Sequence, residues 1–318
     1  MNGATSRTGA LARVATLALL WGATFLWIEL ALDALSSVQV TFARCVLGSL
    51  TLLAVCFGTR HRLPRGWAIW GHVIVAAFFC NAFPFMMFSI GQRTIDSGVA
   101  GVLNATTPLW SLVIGVLIGT ERGIRSIRLF GLVLGFGGVA LIFAPWQQTG
   151  QVGAGALAIV AAAASYAVGF AYMGRKLAGR GIPTISLSAA QLCAATGLTA
   201  LSLPAGGLRP PVDLDLKAVV AVIVLGVFST GVTFHLTYRI IADEGATNAA
   251  TVGYLLPVVS VLLGTVILGE DFSVRIAVGM LVVLIGVAMT RRSRKPPPVI
   301  AAPDAAPPTS QPKIGTST

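Results

Sequence analysis

The sequence predicts an all-α integral membrane protein of ten transmembrane helices, arranged as two inverted five-helix repeats. Three observations predict it. Of 318 residues, 55% are hydrophobic and only 10% charged, whereas a soluble domain carries about a quarter charged residues. Apolar runs of the length that crosses a hydrocarbon core, roughly 20 residues, recur along the chain. A stretch of the fourth run also reappears in the ninth.

Read between polar breaks, the spans lie near 10–31, 38–57, 68–90, 98–118, 127–145, 152–173, 183–203, 217–239, 247–268 and 274–290. The organisation that follows is a short cytoplasmic N-terminus (1–9), a first five-helix unit (10–145), a second (152–290) and a tail (291–318). Arg7 and Arg13 precede the first run, as in a signal peptide. That run continues to about Leu32 and more spans follow, so it reads as an uncleaved helix. The tail is rich in Pro, Ala, Ser and Thr and cannot bury a core, so it is expected to be disordered.

Orientation follows from the basic residues, which collect on the cytoplasmic side of a membrane. With the N-terminus inside, 16 Lys and Arg fall in cytoplasmic loops and flanks, against Arg93, Arg209, Lys217 and Arg275 outside. Both termini are therefore expected in the cytoplasm, and the chain in a bacterial plasma (inner) membrane. The net charge of +11 is spread over these short clusters and forms no face for nucleic acid. Cys45, Cys56, Cys80 and Cys193 each sit inside an apolar run without paired spacing and read as small buried residues.

The repeat has an offset of 149: Asn104–Arg122 (NATTPLWSLVIGVLIGTER) aligns with Gly253–Asp271 (GYLLPVVSVLLGTVILGED). Pro108 matches Pro257, Ser111 matches Ser260, Gly115 matches Gly264, Ile118 matches Ile267 and Glu121 matches Glu270. Five spans is an odd number, so the second copy enters the membrane upside down. The loop charges agree, since Glu121–Arg128 is net positive and Glu270–Arg275 net negative. Inverted repeats are typical of secondary transporters that expose one midplane site alternately to each side.

These residues resemble the drug/metabolite transporter (DMT) superfamily, in its EamA-type branch of ten-helix proteins. The likeness rests on Trp21-Gly22, Arg44, the Pro108 to Glu121-Arg122 stretch and Pro257 to Glu270, and covers nearly the whole chain except the tail. It implies a carrier that moves, usually by export, a small metabolite such as an amino acid, a nucleoside or an amphipathic compound. The second copy departs from the pattern with Tyr166 in the place of Trp21 and Gln191 near the place of Arg44. The halves therefore need not contribute equally to a site.

A proline within a helix frees the carbonyl four residues earlier, here Asn104 for Pro108 and Gly253 for Pro257. An unpaired carbonyl is costly in hydrocarbon, so these breaks either face a cavity or are packing kinks. Arg44, within the second span, needs partners. Glu29 on the first span is the candidate for an ion pair or gate, with a binding role or a snorkelling side chain as alternatives. Glu29 and His235 are the candidates for a coupling proton, because His72 lies close to the cytoplasmic edge.

Asn81, Asn104 and Gln191 are amides at membrane depth that either hold a polar substrate or bridge helices. Trp21, Trp110, Tyr166 and Tyr238 are candidate cavity walls, Trp21 and Tyr166 foremost because their positions match in the repeat. The Gly131-x-x-x-Gly135 pair permits close helix approach, within the chain or between copies, and no oligomer is predicted.

No H-E-x-x-H or comparable cluster occurs, so neither an enzyme nor a metal or other cofactor is expected. The expected partners are a small-molecule substrate, the bilayer and a candidate coupling proton. Two alternatives stay open: a multidrug or cation efflux carrier of the same fold, and a channel or assembly protein without carrier activity. Against the charge-swap mechanism of small cation exporters stands the lack of an acidic residue at any mid-span.

Overall fold

Many large apolar side chains face outward, while polar ones are buried within an apolar core. Leu129, Phe130, Val133, Leu262, Val266 and Leu281 are exposed, while Thr41, Arg44, Asn81, Gln191, Thr230 and Thr237 are buried. In water this arrangement would be unstable. In lipid it is favoured, because tails solvate the apolar faces and polar groups must find partners inside.

The computed structural model describes residues 7–117, 126–143, 150–177, 179–208, 210–211, 214–244, 252–253, 255–271 and 273–291. Glu121 and the expected disordered tail beyond Arg291 lie outside these residues. The described residues form helices and turns without a strand. Helices α1 (Arg7–Gly22) and α2 (Thr24–Leu32) make the first predicted span, and α3 (Ser37–Gly58) the second. The third is α4 (Trp67–Ala77), a π-helical segment Phe78–Ala82, and α5 (Phe83–Gly91). The fourth is α6 (Ser97–Asn104) and α7 (Thr107–Leu117), and the fifth is α8 (Ser126–Phe143).

In the second half come α9 (Gly150–Lys176), α10 (Thr184–Ala200) and α11 (Leu216–Gly226), the last continuing through a π-segment Val227–Val232 into α12 (Thr233–Glu244). Then follow α13 (Leu256–Leu263) with a π-segment Gly264–Leu268, and α14 (Val274–Arg291).

Among the described residues, six stretches are long and apolar enough to cross a bilayer: Ala15–Leu32, Ser37–Gly58, Trp67–Gly91, Ser97–Leu117, Gly153–Lys176 and Leu216–Ile240. Shorter apolar helices occur at Leu129–Gly138, Leu256–Leu268 and Val274–Gly286. Helix starts follow local chemistry. Ser36 and Gln39 form a capping box at α3, each side chain satisfying the other's backbone N–H. The Asp215 carboxylate accepts from Ala218 N at 2.8 Å to start α11.

The interrupted fourth span is present, but its break lies at Ala105–Thr106, before the proline rather than around it. Pro108 is the second residue of α7 and Pro257 the second of α13. In the first turn a missing N–H costs nothing, so proline starts these helices instead of kinking them. The carbonyl of Asn104 accepts from Thr107 Oγ at 2.8 Å.

Contacts between the halves come in matched sets. The second and seventh spans pair (α3 with α10), as do the fourth and ninth (α6 with α13) and the fifth and tenth (α8 with α14). The first meets the eighth (α2 with α11), and its counterpart, the sixth, meets the third (α9 with α5). Between α8 and α14 the Gly131-x-x-x-Gly135 pair is used within the chain. A Cβ on Gly286 would sit 2.6 Å from the carbonyl of Gly131 and 2.5 Å from the amide of Gly135. Only glycines allow that approach.

Candidate functional site

A cavity opens where the halves meet beside the break in the fourth span. Its polar side is formed by Thr24 on α2, Arg44 on α3, Asn104 on α6 and Thr107 on α7, with Pro108 and Gly253 next to them. Its apolar side is Trp21, Phe25, Phe88, Tyr166, Phe170 and Leu256. The aromatic rings form one continuous row from both halves. Trp21 lies 6.1 Å from Phe170, Phe170 stacks on Tyr166 at 5.5 Å, Tyr166 reaches Phe88 at 5.8 Å, and Phe88 meets Phe25 edge-on at 5.5 Å.

Arg44 is 1% exposed. The expected pairing with Glu29 does not form: no ion pair or hydrogen bond joins them among the described residues. Instead the Arg44 Nε donates to Thr230 Oγ at 3.1 Å, and its guanidinium carbon lies 3.6 Å from the centre of the Phe85 ring. Its Nη1 has no partner. Glu29 is drawn away because Gln92, 3% exposed, donates from Nε2 to both the Phe25 carbonyl (2.9 Å) and Glu29 Oε2 (3.3 Å).

The π-segments explain how Thr230 reaches Arg44. The wider turn of a π-helix brings the carbonyl five residues back within reach, and Thr230 Oγ donates to Leu225 O at 2.8 Å while accepting from Arg44. The π-segment Phe78–Ala82 begins 149 residues before Val227–Val232, the offset of the sequence repeat. Asn81 occupies the place of Thr230 in that register, and Phe85 that of Phe234. These last two rings meet edge-on at 6.1 Å.

Of the other sequence candidates, Trp21, Asn104, Pro108, Tyr166 and Gly253 line the cavity. Asn81 does not. It accepts from Gln191 Nε2 at 2.7 Å, and Gln191 Oε1 in turn accepts from the Tyr238 hydroxyl, all three side chains being fully buried. This triad ties the third, seventh and eighth spans together. His235 is half-buried with an unpartnered Nδ1, outside the cavity wall, and Pro257 is buried next to the lining residue Leu256. Trp110 packs edge-on against Phe136 at 5.1 Å and is not a wall residue. Phe25, Phe88 and Phe170 were not singled out in the sequence. Nor were Thr230 and Phe85, which extending the 149-residue offset upstream from Asn104 would have exposed.

At the end of the molecule that carries Arg93 and Lys217, the two halves are joined by Glu270. Its Oε1 accepts from Ser97 N and its Oε2 from Gly98 N, both at 2.8 Å, so a carboxylate from the second half caps α6 of the first. Gly269 makes this reach possible with a left-handed φ of +68°, a conformation side chains disfavour. Asp96 sits beside this junction, and burial, together with the nearby Glu270 and Asp271 carboxylates, raises its carboxyl above the usual range.

Several apolar helices around a cavity walled by both halves define a multi-pass membrane protein of the transporter type. The chain belongs to the EamA-like transporter family, whose model matches residues 9–144 and again 153–292. It is 27% identical to an uncharacterized transporter of Archaeoglobus fulgidus over 86% of this chain and 95% of that protein. It is 25% identical to the uncharacterized transporter YdfC of Bacillus subtilis, over 85% and 87%. With the uncharacterized inner membrane transporter YedA of Escherichia coli it shares 24% identity, over 80% and 81%. A solved crystal structure superposes with a TM-score of 0.65 at 22% identity, over 90% of this chain and 98% of the other, which speaks to the fold.

Proposed function

We propose that this protein is a secondary transporter that moves, in the export direction, a small metabolite or amphipathic compound across a bacterial inner membrane by alternating access. The observation that carries the reading is the cavity itself. It lies where the two halves meet, next to the interrupted fourth span, the place where half-helix ends hold substrates in carriers built from inverted repeats. In this reading the chain makes ten crossings with both termini in the cytoplasm.

Several features support an inverted pair. The two family matches divide the chain, the π-segments recur at the repeat offset, and the contacts between halves exchange in matched sets. The Glu270 cap on α6 is then the external closure: breaking two hydrogen bonds to one carboxylate lets the halves part on that side. Direction rests on the family resemblance.

Counterflow in proteoliposomes tests the reading. Saturable exchange of one class among amino acids, nucleosides and amphipathic ions, reduced by Asn104→Ala, is the expected result. Flux that never saturates and shows no exchange would mean a channel instead, and no exchange of any class would remove support for a carrier.

A further inference from the structure

Among the described residues that line the cavity, Arg44 is the one with a buried polar side-chain atom left without a partner. Thr230 takes its Nε and Phe85 covers one face, so the guanidinium is held in a fixed plane with Nη1 free. A buried cation without a counter-ion is costly, and it is retained where something supplies the missing charge. Among the described residues no carboxylate does so: those lining the cavity include Arg44 and no Asp or Glu. Beyond Arg44 the polar lining is the uncharged Thr24, Asn104 and Thr107, and the rest is Pro108, Gly253, Leu256 and the row of five aromatic rings, surfaces that receive an apolar body.

Resting on the transporter reading above, we propose that the substrate is an amphipathic organic anion. Its carboxylate docks on the free edge of Arg44 and its aromatic or branched apolar body lies against Trp21, Phe25, Phe88, Tyr166 and Phe170. An arginine fork suits a carboxylate, which it binds with paired, charge-assisted hydrogen bonds. Thr230 and Phe85 act as positioning residues, holding the fork in place before the ligand arrives. A cation would meet Arg44 with nothing to offset the repulsion. A zwitterion would bring an ammonium group for which the lining offers no carboxylate.

Three radiolabelled probes with the same phenyl body separate these classes: phenylacetate, phenylalanine and phenethylamine. Equilibrium dialysis against the purified full-length protein measures binding, and counterflow in proteoliposomes measures transport. Phenylacetate is expected to bind at least about tenfold more tightly than the other two, since losing a charge-assisted hydrogen bond weakens binding by roughly 10- to 100-fold. Arg44→Gln is expected to remove that preference by weakening phenylacetate, while phenethylamine, relieved of the repulsion, binds no more weakly than before. Arg44→Lys keeps the charge without the planar fork and falls between, as does Thr230→Val, which frees Nε.

Absence of phenylacetate binding, a preference for the amine or the amino acid, or an equal loss for all three probes in Arg44→Gln would overturn the proposal. The two readings fail separately. Binding of phenylacetate without counterflow would leave the anion site and sink the carrier, and counterflow of another class without phenylacetate binding would do the reverse.

Discussion

Two buried polar clusters lie on neighbouring helices of the same apolar core and differ in whether they border the cavity. In Asn81, Gln191 and Tyr238 the central Gln191 is engaged on both sides, Asn81 Nδ2 is left without a partner, the cluster joins three spans, and none of the three residues lines the cavity. Around Arg44, Thr230 and Phe85 hold the guanidinium but leave Nη1 without a partner, and Arg44 lines a cavity. Both sites come from the same repeat register, with Asn81 and Thr230 at equivalent points of two π-segments. The difference teaches how to tell a structural polar group from a ligand-binding one in lipid. A cluster closed off from the cavity spends its hydrogen bonds on the fold, whereas one that opens onto it keeps a donor for something that comes and goes.

The largest effect is expected where the closed network is broken. Gln191→Leu leaves Asn81 and Tyr238 buried without their shared partner. It should lower stability by about 1–3 kcal/mol, seen as a drop in melting temperature and a loss of transport along with the fold. A stability loss confined to a few tenths of a kcal/mol would mean that the triad relaxes or admits water.

Next is the Glu270 junction, which the proposed transporter reading makes the external closure. Glu270→Ala uncaps α6 and removes a charge from its N-terminus, at a cost of about 0.5–2 kcal/mol. In a cysteine-free background carrying Thr24→Cys, an impermeant thiol reagent added outside should then label the cavity faster. Unchanged labelling would show that other contacts close that side.

A smaller effect concerns pH. Asp96 binds its proton more tightly at the closed junction than in solution, so by linkage the closed form loses stability as pH rises from the ordinary carboxylate range through the raised value. External labelling of the same cysteine should increase with pH across that window, and Asp96→Asn should flatten the dependence. A slope of opposite sign would contradict the burial of Asp96 beside Glu270 and Asp271.

The smallest belongs to Lys217 and Asp33, whose 2.8 Å pair is 54% and 63% exposed. Lys217→Ala should change stability by less than about 0.5 kcal/mol, a useful baseline for the others.

How much of this was legible in the sequence follows from what each feature depends on. Span positions and the repeat come from composition and local spacing, and helix bounds such as Ser97–Leu117 and Val274–Arg291 fall close to those read from apolar runs. Tyr166 and Trp21 were readable because the repeat gives them matching roles, and the aromatic row contains both. Glu29 and Arg44 were misread as partners because proximity along a short loop says nothing about Gln92, 63 residues away, or Thr230, 186 residues away. The π-segments left no composition signal, since FFCNA and VFSTGV are ordinary helix sequence. Only the recurrence at one offset betrays them.

The most direct test of the contrast between the closed and open clusters is the melting temperature of Arg44→Gln beside that of Gln191→Leu, each with and without phenylacetate. Arg44→Gln should be at least as stable as the native protein without ligand, because it removes an incompletely paired buried charge, and should lose the stabilisation that bound ligand confers. An Arg44→Gln protein that unfolds as readily as Gln191→Leu, with or without phenylacetate, would show that Arg44 serves the fold and not a substrate.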